Sequence, residues 1–493
     1  MIQKFIFPLG VLSFLGAYVI SYRYPFFYSL SLYGLVMFIY FAIQLVASWY
    51  NHKYYHLLAR EKWLVENSQR KRDVEETGER ISEEKFQCVL VVVGHRERKD
   101  YWQMCLDSIL ELNPQSLVKV YVIVDGQEDE DAYMKDMAEL TLVGSVPFLL
   151  DILCLSKRGK RGAMFYAFEK IRSDFPGTEK TMEVVVTDSD TVLSENSILR
   201  LCECLRSHPN NGCATGLLQI YNLKDGLLPK MINARYQYAF IVERGATSWF
   251  GCMTCCSGPI SIYKMELLHD LILKKFITQS FLNVRCEPGD DRHLTNLILA
   301  QGFWARQTNL AIASTEAPET WYRFLHQQLR WSRSYYRELY WQYKALPHQS
   351  YYLSFVMTYE TLFPILVSTW IFFMLFVNTQ EGHLIRGFGI SLSILVVRTF
   401  VLYMYLKDHH MIYNLYYYPV YILLLLPTKI YALLSLLNNG WVTAPRANQK
   451  NQKSFCTFYF GFLYLWNLLL LTGFTRSILI ANGYRLSELH VSA

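Results

Sequence analysis

Val184-Val-Val-Thr-Asp-Ser-Asp190 decides how the middle of this chain is read. The apolar, β-branched run is a strand, and it ends in two acids spaced i, i+2. Alternate residues of a regular strand share a face, so Asp188 and Asp190 point one way and Ser189 the other. Where the strand gives way to a turn, one acid can reach a nucleotide and the other a divalent cation. Magnesium and manganese suit carboxylate and phosphate oxygens. Such a pair occurs often by chance, so its weight comes from its surroundings.

Those surroundings alternate β and α. The strands read as Cys88–Val93, Val118–Val124, Phe148–Cys154, Val184–Thr187 and Gly212–Gln219. Between them lie helical patterns at Tyr101–Leu112, Ala132–Leu140, Gly162–Ser173 and Glu195–Ser207. This order predicts an α/β unit over residues 86–318, a mainly parallel sheet covered by helices. Ligands of such sheets bind beyond the carboxyl ends of the strands, where Asp125, Asp188 and Asp190 fall.

The flanks are of another kind. The 493 residues are 52% hydrophobic and 18% charged, and the apolar residues concentrate before residue 50 and after residue 350. Residues 5–20 and 28–49 predict a membrane hairpin (1–50), since a spanning helix takes about 20 apolar residues. No cleavable signal peptide is expected. Residues 51–85 read as a cytosolic linker, whose Arg70-Lys-Arg72, with Lys53, Arg60 and Lys62, fits the positive-inside rule better than nucleic-acid binding. Residues 319–350, rich in Trp, Tyr and Arg, predict interfacial helices. The region 351–493 carries apolar segments at 353–377, 386–406, 411–437 and 456–482. Pro427 splits the third, which predicts a re-entrant or interfacial hairpin that leaves the basic loop 438–453 in the cytosol. The eleven cysteines form no paired metal framework and read as reduced thiols.

Three further motifs carry chemistry. Ser156-Lys-Arg-Gly-Lys-Arg-Gly162 sets four cations around two glycines before a helix, a pattern that suits a diphosphate and equally a solvated basic loop. Glu287-Pro-Gly-Asp-Asp-Arg-His-Leu-Thr-Asn296 puts two carboxylates on a glycine turn. One of them can serve as a general base, with Arg292 holding the other; the same acids can also cap a helix over 292–300. Gln327-Gln-Leu-Arg-Trp331 offers a guanidinium for phosphate and an indole for a sugar face or for the membrane interface.

The order of these motifs resembles the processive membrane glycosyltransferases: cellulose, chitin and hyaluronan synthases. Phe250-Gly-Cys-Met-Thr-Cys-Cys-Ser-Gly-Pro-Ile260, Gly289–Asn296, Gln327–Glu338 and Asp125–Asp136 look most like hyaluronan synthase signatures, within a resemblance running from about residue 88 to 446. It implies a cytosolic GT-A (Rossmann-like) domain inserted between transmembrane helices. It also implies alternate transfer from UDP-GlcNAc and UDP-GlcA onto hyaluronan, with Mg2+ or Mn2+ as cofactor. Asp291 would be the base, with Asp290 and Arg292 beside it. Asp125, Lys160, Arg161 and Asp188 would bind UDP, and Asp190 the metal. His95, where the family has a tyrosine, would stack on uracil. Gln327, Arg330 and Trp331 would line the acceptor and diphosphate site, with Cys256 near the acceptor. Trp441, Thr443 and Arg446 resemble a gating loop in which Val442 replaces a glycine. The expected setting is a multi-pass plasma-membrane protein acting as a monomer in the lipid bilayer, with no nucleic-acid partner. The rival readings are a chitin synthase using UDP-GlcNAc alone and a nucleotide-binding transporter or channel.

Overall fold

The computed structural model describes residues 38–58, 87–114, 117–377, 383–438 and 453–482. The first expected span (5–20), most of the linker and the loop residues Trp441, Thr443 and Arg446 lie outside these. Seven of the eight residues of β1 (Gln87–Gly94) are buried, as a central strand covered by helices on both faces requires. Around it stand β2 (Lys119–Asp125), β3 (Leu149–Leu155), β4 (Met182–Asp188), β5 (Val192–Leu193), β6 (Asn211–Ile220) and β7 (Ser261–Lys264). A small hairpin follows, β8 (Ser280–Phe281) with β9 (Val284–Arg285), and then β10 (Trp304–Thr315).

The main sheet runs β3-β2-β1-β4-β7-β6-β10-β5. The four strands β3, β2, β1 and β4 are mutually parallel, so Asp125 and Asp188 end at one edge, as expected. The other half departs from a simple parallel sheet. β7 lies antiparallel between β4 and β6, and β5 antiparallel to β10. Four residues after Ser-Gly-Pro are too few for a period-2 pattern, which is why β7 was not foreseen.

Two apolar layers clothe the sheet. Helices Lys99–Leu110, Asp129–Leu142 and Ser197–Arg206 bury Trp102, Leu106, Met134 and Leu201 on one face. Helices Gly159–Asp174, Asp270–Ile277 and Asp290–Leu299 bury Phe168, Phe276 and Leu294 on the other. The second layer continues through Ala345, Leu346 and Leu353, so the long helix Trp321–Ala345 and the helix after it are rooted in the α/β core.

Among the described residues three helical runs are long and apolar enough to cross a membrane: Tyr351–Val377, His409–Leu434 and Phe458–Ile480. In helix His383–Leu406 the apolar stretch Ser391–Leu406 is shorter. The hairpin expected at Pro427 is not formed. His409–Leu434 is one helical run, and a π-helical stretch Tyr421–Leu425 precedes the proline. Proline lacks an N–H and crowds the carbonyl four residues back, so a widened turn lets the helix pass it. This run lies along the α/β unit rather than away from it. Met411 packs with Ala234, Tyr238 and Val242. Leu425 and Ala432 pack with Leu228, Ile232, Phe324 and Leu329. Beyond the helix end, Arg337 donates to the carbonyls of Leu436 and Asn438, and Arg333 to Ser435 Oγ.

Candidate active site

Asp188 ends β4, and the Ser257-Gly-Pro259 loop closes over that end. Thr187 Oγ1 donates to the Pro259 carbonyl at 2.8 Å. A Cβ on Gly258 would come within 3.1 Å of Asp188 Oδ2 and 3.2 Å of Lys160 Nζ, so a larger residue would have to push these two side chains aside by a few tenths of an ångström.

Lys160 is the hub. Its ammonium pairs with Asp188 Oδ1 and lies 3.1 Å from Asp290 Oδ2, joining the strand-end acid to the glycine-turn acid. Burial alone would lower its pKa. Asp188 and Asp290 outweigh that and raise it, so the lysine is firmly charged. Burial likewise disfavours the Asp290 carboxylate, but Lys160 and Arg161 pull its pKa below the usual range.

Asp190 is in the opposite position. Burial, then Asp188, Glu97 and Glu316, push its pKa up to about 8. The charge of Lys160 offsets these three acids only in part, and a carboxyl so crowded fits a hard divalent cation. Glu97 and Glu316 were not singled out from the sequence. Glu97 follows His95-Arg96, and its side chain accepts from Ser189 Oγ at 3.3 Å.

Asp291 opens helix Asp290–Leu299 behind Gly289, whose φ of +93° is a left-handed conformation that favours glycine. Its Oδ1 accepts from the Arg292 N–H at 2.7 Å, and its Oδ2 lies 3.5 Å from Cys255 Sγ. Two expectations change here. The thiol beside Asp291 belongs to Cys255. Cys256 is fully buried in the core under the sheet, its N–H bonded to Thr295 Oγ1. Arg292 forms no ion pair with either acid among the described residues. It reaches toward Thr254 Oγ1 at 3.5 Å and lies over the Tyr335 ring. The pairing expected of Arg292 is made by Lys160.

Arg161 also departs from expectation. It is buried, and its guanidinium donates to the carbonyls of Phe276, Glu287 and Pro288. It therefore holds the turn that presents Asp290 and Asp291. Asp125 is buried at the end of β2 and accepts from the Arg158 N–H at 2.7 Å, which ties the strand end to the basic loop. His95 lies 3.6 Å from Asp131 Oδ1.

Gln327, Arg330 and Trp331 come from helix Trp321–Ala345, capped by Thr320. Burial lowers the pKa of Arg330, opposed by the fields of Asp290, Asp291 and Asp188, so this guanidinium feels all three acids. Gln327 Oε1 is buried without a hydrogen-bond partner among the described residues, an acceptor open to a ligand donor. Trp331 is 39% exposed, its ring 6.3 Å from that of Tyr236. Acids for a cation, cations for an anion and a carboxylate on a fixed turn thus converge beyond the strand ends.

Comparison with known proteins agrees. Residues 87–334 match the family Glycosyltransferase like family 2. The chain is 30% identical to Hyaluronan synthase 3 of Mus musculus over 90% of its length and 82% of the relative's. It is 31% identical to Hyaluronan synthase 3 of Xenopus laevis, over 75% of this chain and 70% of that one. Among solved structures, a mannosyltransferase of Pyrobaculum calidifontis in complex with GDP-Man and Mn2+ aligns with a TM-score of 0.48 at 17% identity, over 80% of this chain and 98% of that one.

Proposed function

Because the chain belongs to the hyaluronan synthases of the family 2 glycosyltransferases, we propose that its site takes UDP-GlcNAc and UDP-GlcA in turn and lengthens hyaluronan with inversion at the anomeric carbon. The observation that carries this reading is the pairing of Asp188 and Asp290 through Lys160, with Asp291 on the adjoining glycine turn and Arg330 in the field of these acids.

In this reading Asp291 removes the proton from the acceptor hydroxyl. The hydroxyl oxygen bonds to the anomeric carbon as the bond to the UDP oxygen breaks on the opposite face. Arg330 faces the diphosphate, and Lys160 keeps Asp188 and Asp290 together while the nucleotide enters. Asp190, with Asp188, would hold Mg2+ or Mn2+, which neutralises charge developing on the leaving diphosphate. Trp331 offers a face to the acceptor sugar, and Cys255 packs against the base. The protein would act as a monomer in the plasma membrane, crossing it several times with the α/β unit in the cytosol.

The test gives the purified full-length protein each UDP-sugar alone and both together, with Mg2+ or Mn2+. Long, hyaluronidase-sensitive polymer is expected only from the pair. Chitinase-sensitive polymer from UDP-GlcNAc alone would move the assignment to a chitin synthase. UDP binding with no transfer would favour a binding-only transporter.

A further inference from the structure

Behind the acids lies a buried polar cluster that the proposed reaction does not use. Glu338 and His293 are 1% and 0% exposed, and Glu338 Oε1 lies 2.9 Å from His293 Nδ1. The same carboxylate accepts from Asn296 Nδ2 at 3.1 Å and from Gln279 Nε2. The other ring nitrogen, His293 Nε2, lies 3.4 Å from the Lys275 carbonyl. The ring is flanked by Phe276 and Trp341.

The placement of this cluster is specific. On helix Trp321–Ala345, Arg330, Ser334 and Glu338 stand at i, i+4 and i+8, along one side. That side meets the acid-bearing turn three times. Arg330 lies in the field of Asp290 and Asp291. Ser334 Oγ would be 2.0 Å from a Cβ on Gly289. Glu338 takes donors from His293 and Asn296, residues of the helix that Asp290 and Asp291 begin. The third donor, Gln279, follows helix Asp270–Ile277, so three segments are joined at one carboxylate. A buried carboxyl group that accepts from two amides and meets a ring nitrogen is directional. It fixes both the rotation of helix Asp290–Leu299 and its position along its axis.

We propose that Glu338 is a positioning residue for Asp291, holding the base-bearing turn in register with the helix that carries Gln327, Arg330 and Trp331. It touches no substrate. It acts through His293 and Asn296 on the direction of the Asp291 carboxylate. The inference rests on the glycosyltransferase reading above. Its chemical content is that a small misplacement of a reacting group costs rate much more than binding; a shift of about 1 Å can cost on the order of 100-fold.

The test uses full-length protein in lipid nanodiscs and compares sugar transfer with metal-dependent UDP binding. Glu338→Gln is expected to lower kcat by roughly 10- to 100-fold while KM for the donors and UDP affinity stay unchanged. His293→Gln keeps an N–H toward Glu338 and is expected to retain most of the turnover, whereas His293→Leu loses it. If Glu338→Gln does not accumulate folded, Asn296→Ala removes a single donor and reports the same split. Wild-type kcat in Glu338→Gln or in Asn296→Ala, or equal losses of kcat and UDP affinity, overturns the positioning role. A wild-type protein that transfers no sugar instead overturns the glycosyltransferase reading.

Discussion

Lys160→Met isolates the electrostatic centre of the site. The lysine side chain is 20% exposed, and its partners Asp188 and Asp290 are 28% and 8% exposed. Methionine keeps the length of the stem and removes the charge. Breaking a buried ion pair on one side costs about 3–5 kcal/mol, because the remaining charges stay desolvated. Partial exposure of Lys160 and Asp188 places this case near the lower end, about 3 kcal/mol. For a unit of this size each kcal/mol moves Tm by about 2–4 °C, so a fall of roughly 6–12 °C is expected at neutral pH. The pH dependence has a definite sign. In the wild type, Asp290 has a lowered pKa, so its contribution is present above the unfolded value of 3.8 and is lost as pH falls through the folded value. In the variant Asp290 loses the largest positive charge holding its pKa down, and its folded pKa rises. Stability is then lost as pH climbs from about 4 toward neutrality. The gap between variant and wild type should be wide at pH 7 and narrow near pH 4.5. Thermal unfolding followed by tryptophan fluorescence in nanodiscs reads it. Mn2+ should narrow the gap at pH 7 by restoring positive charge among the acids. Equal Tm values at pH 7 in chelator would refute the assignment of Lys160 as their counter-charge.

Further expectations follow from the same geometry. Asp291→Asn should keep UDP and metal binding and lower transfer by about 10²–10⁴-fold; near-normal turnover would pass the role of base to Asp290. Asp190→Asn should weaken metal-dependent UDP binding itself, measured by calorimetry with Mn2+. In the wild type that binding should weaken as pH falls from 8 to 6, because the Asp190 proton, held up to about pH 8 by burial and by Asp188, must leave before a cation binds; pH-independent affinity would remove Asp190 from the cation site. Gly289→Ala meets both a left-handed backbone, worth about 1–2 kcal/mol, and Ser334 Oγ, so adding Ser334→Gly should recover only part of the lost Tm and activity.

The half of the fold governed by local pattern was legible in the sequence. β1 to β4 and β6 lie within two residues of their expected bounds, because β-branched runs between amphipathic helices leave few alternatives. β7 and β10 were not foreseen. β7 is four residues long and has meaning only through its neighbours β4 and β6. β10 shifts register between Gln307 and Ile312, which breaks the alternation that would have announced it. The uninterrupted passage of helix His409–Leu434 through Pro427 was hidden for a related reason. Sequence reading assigns a proline to a helix break, and a preceding π-helical stretch absorbs it.

Within the site, residue types were legible and their pairings were not. Lys160 joins Asp188 to Asp290, two acids that the sequence places in separate motifs, while Asp190 turns toward Glu97 and Glu316. The choice between Cys255 and Cys256 depends on which way the chain faces before β7. Adjacent thiols in an irregular segment give no periodicity from which to decide it. Arg161 and Lys160 are neighbours at the start of one helix, yet about 100° of helical rotation separates them. One reaches the acids, and the other turns to the backbone carbonyls beneath them. The same reasoning explains why Glu338 went unnoticed among the arginines and tyrosines of its helix. A carboxylate there reads as a surface charge until the fold brings His293, Asn296 and Gln279 to it. Motif residues therefore identify the reaction. The residues that aim them, Arg161 beneath the glycine turn and Glu338 on helix Trp321–Ala345, become visible only when separate segments are packed together.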